Sequence, residues 1–228
     1  MTGITHLTFD CYGTLIDWES GILAAVQPLL TRHGVSAAAE AILQRFVRHE
    51  ARLEMQSWRP YREVLRAVMV ALSADFHHSL PDRENDVLAE SLPTWPPFPD
   101  TLPALQKLSK HFPLTILSNT DDSLFAQTQK RLNIEFAHVI TAQQLKSYKP
   151  GQAHFHEALR RLGVPPSQIL HVAQSLYHDH VPAKRLGLRS AWVTRPSRLP
   201  ATGLAPEARV TADVIVPNLA TLATHLTS

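Results

Sequence analysis

Apolar positions fall into two regimes along this chain. Short runs rich in β-branched residues stand at ITHLTF (4–9), LTIL (114–117), HVI (138–140), ILHVA (169–173), SAWV (190–193) and DVIV (213–216). Bounded by Pro, Gly, Asn or Asp, they have the pattern of buried strands. From about residue 100 they alternate with helical patterns at 121–132, 151–162 and 179–186, the last interrupted early by Pro182. That alternation predicts a parallel α/β sheet. Residues 18–92 follow a different rule. Leu43, Phe46, Val47 and Ala51 recur at helical spacing, as do Tyr61, Val64, Leu65, Val68 and Leu72, with no convincing strand between. The Pro-rich LPTWPPFPD (92–100) closes the segment. The expected organisation is a core of residues 1–16 and 96–228 with an all-helical insertion over 17–95. The stretch 196–212 reads as a long loop.

Composition alters this picture little. The 228 residues suffice for one domain carrying an insertion, and 44% hydrophobic with 18% charged residues is the balance of a globular protein. A net charge of +2, from 22 basic and 20 acidic residues, gives no case for nucleic acid or an anionic membrane as partner. The lone cysteine, Cys11, permits no intrachain disulfide and fits a reducing compartment. No apolar run reaches the roughly 18–20 residues that span a bilayer. The stretch MTGITHLTFD lacks the basic region and apolar core of a signal segment. The expectation is a cytoplasmic protein whose partner is a small molecule.

Ligands of open parallel sheets bind beyond the carboxyl ends of the strands. After the first strand come Asp10, Tyr12, Gly13 and Thr14; after LTIL, Ser118 and Asn119. In a loop beyond HVI comes SYKPG with Lys149, and after ILHVA come Gln174, Ser175 and Asp179. Each alone has an ordinary reading: a turn or helix-capping aspartate, a Ser-Asn loop pair, a solvated lysine. Together they put two carboxylates, an ammonium and a hydroxyl–amide pair on one rim. A carboxylate can act as a nucleophile that forms an ester. A neighbouring ammonium keeps it ionised. Ser118, Asn119 and the N–H groups after Asp10 can bind an anionic group.

The joint pattern resembles the haloacid dehalogenase superfamily. FDCYGTL is similar to its first motif, LTILSN to the second, YKPG to the third and HVAQSLYHD to the fourth. The resemblance spans nearly the whole chain and implies a Rossmann-like doubly wound core under a small helical cap. It implies Asp10 as nucleophile, surrounded by Thr14, Ser118, Asn119, Lys149 and Asp179. Phosphatases of the superfamily place a second aspartate two residues after the nucleophile, as general acid, and use Mg²⁺. Here that position is Tyr12, and the first acid of the fourth motif is Gln174. Halide leaves as a stable anion and needs no proton. DCYGTLID looks like the type II L-2-haloacid dehalogenase branch, which implies a cofactor-free hydrolase for short 2-haloacids and a homodimer. Asp10 would form an ester with the substrate carbon, and water held by Asp179 would hydrolyse it. Tyr12 and the cap would form a halide pocket, Arg45 (with Arg48 in reserve) would bind the halide, and Ser175 completes the expected substrate-binding set. Two positions differ from the branch: Leu176 stands in place of an asparagine and Phe155 in place of a tyrosine. A Mg²⁺-dependent phosphatase and a non-catalytic relative remain open alternatives. His178-Asp179-His180 would suit a transition metal by residue type, but no further ligand cluster accompanies it.

Overall fold

The computed structural model describes residues 2–199 and 210–228, so residues 200–209 of the expected loop lie outside the described residues. All six expected strands form, as β1 (His6–Phe9), β2 (Leu114–Ser118), β3 (His138–Thr141), β4 (Ile169–Ala173), β5 (Arg189–Val193) and β6 (Val214–Val216). They make one parallel sheet in the order β3-β2-β1-β4-β5-β6. The chain leaves β1 toward β2 and later returns to its other side as β4. Strand order therefore reverses around β1, and a crevice opens beyond its carboxyl end, the usual ligand position in such sheets. Both faces of the central strands are covered, which is why their sequences read as continuous apolar runs.

Between β1 and α5 (Thr101–Leu108), the helix that leads into β2, lie four α-helices, α1 (Trp18–Arg32), α2 (Ala39–Glu54), α3 (Tyr61–Asp75) and the short α4 (Val87–Ser91). The positions singled out for periodicity fall on α2 and α3 and bury Leu43, Phe46, Val64, Leu65, Val68 and Leu72. These residues share one hydrophobic cluster with Leu7 and Phe9 of β1 and Leu114 and Ile116 of β2. The helical layer thus shares one continuous core with the sheet. A smaller, separate cluster, with Leu117, Phe155, Ala158 and Ile169, lies between the sheet and α8 (Ala153–Leu162). The remaining helices are α6 (Asp122–Leu132), α7 (Ala142–Leu145), α9 (Val181–Arg185) and α10 (Leu219–Thr227). Pro182 falls in the first turn of α9, where a missing N–H costs nothing, and residues 176–180 wind ahead of it as a wider π turn.

Polar contacts fix where the helical layer rests on the sheet. Pro60, which precedes α3, has no side chain able to cap it. Asp121, beyond β2, does so from the other layer, accepting from the N–H groups of Tyr61 and Arg62 at 2.8 Å each. A carboxylate at a helix N-terminus satisfies open donors and complements the dipole. The Tyr61 hydroxyl donates to Glu50 of α2, and Asn119 beyond β2 donates to Glu54 at 3.4 Å. Burial lifts Glu50 from its ordinary value to about 7, against the opposing pull of the Tyr61 hydrogen bond. Burial first, then repulsion from Glu50, lifts Glu54 well above its ordinary value.

Two outcomes follow for stability. Asp121→Ala should cost about 1–2 kcal/mol through loss of the long-range cap, read by urea denaturation. Because the folded state holds the Glu50 proton more tightly than the unfolded state, its contribution is full below about pH 4.5 and is lost as pH rises through about 7. Glu50→Gln, which mimics the protonated acid, should therefore leave the thermal midpoint unchanged at pH 4.5 and raise it by roughly 2–4 °C at pH 8.

Candidate active site

The four strand-end segments converge. Asp10 follows β1 directly, and its two oxygens have separate donors. Lys149 Nζ donates to Oδ1 at 2.8 Å and the Thr14 hydroxyl to Oδ2 at 2.8 Å. Thr14 Oγ1 accepts in turn from the Gln174 N–H at 3.0 Å, which ties the loop after β1 to the end of β4. Gly13 makes that loop possible, because its φ of 98° lies in the left-handed region. Lys149 Nζ also donates to Asp179 Oδ1 at 2.6 Å and to the Leu117 carbonyl at 2.9 Å. All three donor positions of the ammonium are therefore used. Asn119 holds the lysine's backbone from both sides, accepting from its N–H at 2.7 Å and donating to its carbonyl at 3.1 Å.

Burial governs the electrostatics. Asp10, Lys149 and Asp179 are 8%, 2% and 1% exposed. Burial alone would discharge Lys149, but the two carboxylates outweigh it and hold its pKa above the ordinary lysine value. Burial would raise Asp179 as well; Lys149 and a hydrogen bond from His171 overcome it and keep Asp179 ionised. For Asp10 burial wins and lifts the carboxyl from its ordinary value, with Lys149 and Thr14 drawing it part of the way back. Cys11, beside it, is buried and its thiol is pushed well above its usual value, so it stays protonated.

The other residues around the cluster have contacts of their own. Tyr12 turns its ring edge onto Trp95, at a centroid distance of 5.9 Å, and bonds its hydroxyl to Thr128 of α6 at 2.8 Å. Arg45 does not join the cluster. Its guanidinium lies 3.6 Å from Asp75 and 4.5 Å over the Phe76 ring, because position 45 falls on the side of α2 that meets the end of α3. Arg48, its reserve, is exposed. The residues that α2 turns toward the Asn119–Lys149 rim are the acids Glu50 and Glu54. Ser175 does not offer its hydroxyl to the crevice; it caps residues 176–180, accepting from the His178 N–H at 3.1 Å. His154 lies on the inner side of α8. It is fully buried, its Nε2 lies 3.2 Å from the Ser118 carbonyl, and burial and Lys149 drop its pKa to about 3. Ser118 Oγ is buried without a hydrogen-bond partner among the described residues. His178 and His180 turn apart, one to Ser175 and one to the Ala173 carbonyl.

Sequence reasoning overlooked His171, in the middle of β4. Its Nε2 lies 3.1 Å from Asp179 Oδ1 and its Nδ1 2.9 Å from the Thr8 hydroxyl. The signal was present: a histidine at the centre of a buried apolar strand needs partners on both ring nitrogens.

Known proteins place this arrangement in context. The family described as haloacid dehalogenase-like hydrolase matches residues 4–186. The chain is 27% identical over 206 residues to (S)-2-haloacid dehalogenase 4A of Burkholderia cepacia, covering 87% of this chain and 86% of that one. It is 28% identical over 210 residues to a phosphoglycolate phosphatase of Escherichia coli O157:H7, covering 84% and 81%. The L-2-haloacid dehalogenase of Xanthobacter autotrophicus superposes with a TM-score of 0.82 at 21% identity, over 98% of each chain, which is a likeness of fold. With the family match spanning most of its length and its four strand-end segments meeting at one crevice, the chain belongs to the haloacid dehalogenase-like hydrolases.

Proposed function

We propose that this hydrolase cleaves the carbon–halogen bond of short 2-haloacids through an ester on Asp10, without a metal. The observation that carries the reading is the pairing of an ion-paired Asp10 with Tyr12 at the second position. A phosphate ester releases an alkoxide, which needs a proton in the transition state. Tyr12 is a poor source. Burial raises its pKa well above the ordinary tyrosine value, and its hydroxyl is engaged with Thr128. A halide needs no proton, and an edge-on aromatic pair such as Tyr12–Trp95 suits a weakly hydrated anion.

In the first step an Asp10 oxygen attacks the carbon bearing the halogen, and halide departs with the bonding electrons. In the second, water attacks the Asp10 carboxyl carbon and passes a proton to Asp179. The ester C–O bond breaks at the acyl side, and the departing alkoxide takes that proton to become a 2-hydroxy acid. The second proton leaves for solvent as Asp10 returns to carboxylate. The unpartnered Ser118 hydroxyl is suited to the substrate's carboxylate. Burial raises the Glu54 pKa well above its ordinary value, which weakens its repulsion of an anion.

A Mg²⁺-dependent phosphatase is the competing reading, favoured by the phosphoglycolate phosphatase relatives. The donor set fits that ion poorly. Asp10 and Asp179 each have an oxygen on Lys149, a neutral amide stands at Gln174, and among the described residues no three His, Cys, Asp or Glu side chains group to hold a metal.

Halide release from L-2-chloropropionate or a haloacetate with chelator present, beside p-nitrophenyl phosphate with Mg²⁺, separates the readings. Chelator-resistant halide release is expected; Mg²⁺-dependent phosphate release without halide would overturn the proposal, as would the absence of both activities. Asp10→Asn should abolish halide release, since an amide is a far poorer nucleophile. Only ionised Asp10 attacks, and its folded pKa is raised. Ester formation should therefore fall as pH drops, with a midpoint above the ordinary carboxylate range.

A further inference from the structure

We infer that His171 is a positioning residue that locks the Asp179 carboxylate in the orientation needed to hold the hydrolytic water. The inference rests on the reaction proposed above, in which Asp179 serves the second step.

Asp179 Oδ1 accepts from both Lys149 Nζ and His171 Nε2, at 2.6 and 3.1 Å. Among the described residues Oδ2 receives no hydrogen bond, which leaves it as the oxygen available to water. Lys149 alone could not fix this choice. Its ammonium is a point charge on a flexible stem and would bind either oxygen as the carboxylate turns about Cβ–Cγ. A second donor, arriving from another strand, fixes which oxygen faces away.

The ring itself is held on three sides. His171 and Thr8 are register partners across β4 and β1, so the Thr8 hydroxyl lies beside Nδ1 at 2.9 Å. The edge-on Phe155 ring packs on it at 5.0 Å. Thr8, Phe155 and His171 are all 0% exposed, so no water replaces these contacts. An ionised Asp179 can only accept, so Nε2 carries a proton. In the neutral ring Nδ1 then accepts from Thr8, which fixes the tautomer. The two departures from the dehalogenase motifs are apolar: Phe155 packs on the His171 ring, and Leu176 opens the turn that carries Asp179. His171 supplies a polar contact that they do not.

The test uses the full chain with L-2-chloropropionate in single turnover. Ester formation is read as chloride release and ester hydrolysis as decay of the covalent adduct by mass spectrometry. His171→Leu should slow adduct decay by roughly tenfold or more, a modest part of what a general base contributes. Ester formation should change by less than about threefold, since the two steps use different groups. His171→Gln, whose amide N–H can reach the place of Nε2, should restore most of the decay rate. Equal losses in both steps, or no recovery in His171→Gln, would reduce His171 to a packing residue and overturn the inference. Should His171→Leu fail to fold, ¹⁵N-histidine NMR of the wild-type chain decides: an Nε2-protonated His171 whose signal shifts in Asp179→Asn is expected, and a ring protonated only at Nδ1 would refute it. Absence of halide release by folded wild-type protein would contradict the dehalogenase reading instead, while the NMR outcome would still judge the contact.

Discussion

One buried ammonium organises this molecule's chemistry. Lys149 lies between two carboxylates in a place nearly without solvent, and each of the three would be costly there alone. The lysine compensates only one of the two negative charges. The other is dispersed by further donors, the Thr14 hydroxyl on Asp10 and the imidazole N–H on Asp179. That division separates the acids. Asp179 is held ionised with one oxygen free, whereas Asp10 is only partly relieved of the burial that raises its pKa. An incompletely compensated carboxylate is a stronger nucleophile than one saturated with hydrogen bonds. The geometry thus suits Asp10 to bond formation and Asp179 to the handling of water.

The sheet delivers these groups because it reverses its strand order at β1. Asp10 comes from the central strand, Lys149 is braced by Asn119 from one neighbouring strand, and Asp179 follows the other. The helical layer closes over the crevice through Asp121 and the Tyr61–Glu50 and Asn119–Glu54 contacts. Two of these contacts involve carboxyls with raised pKa values, so the seam between layers is sensitive to pH, as is Asp10 below it.

How much of this was readable in the sequence follows from the range of each interaction. The central strands were legible because a strand covered on both faces is written as an uninterrupted apolar run, and the edge strands β3 and β6 because their short β-branched runs stand between helical patterns and turn residues. The positions of Asp10, Lys149 and Asp179 were legible because strand ends in such sheets share one rim. Arg45 was misplaced because the choice between Arg45 and the Glu50–Glu54 pair depends on the rotation of α2 about its axis, set by packing against α3. Ser175 was taken for a ligand group when the local turn needed a cap. His154 and His171 were hidden for a common reason: their partners, the Ser118 carbonyl and Asp179, come from other elements of the chain.

The central claim is that Asp10 becomes covalently esterified, and oxygen tracing tests it most directly. In a single turnover in ¹⁸O-water with enzyme in excess, water attacks the aspartyl carbon. The 2-hydroxy acid should therefore carry an unlabelled oxygen from Asp10, and the label should appear in the Asp10 carboxylate. Label in the product after the first turnover, with Asp10 unlabelled, would mean that water attacks the substrate carbon directly and would contradict the account.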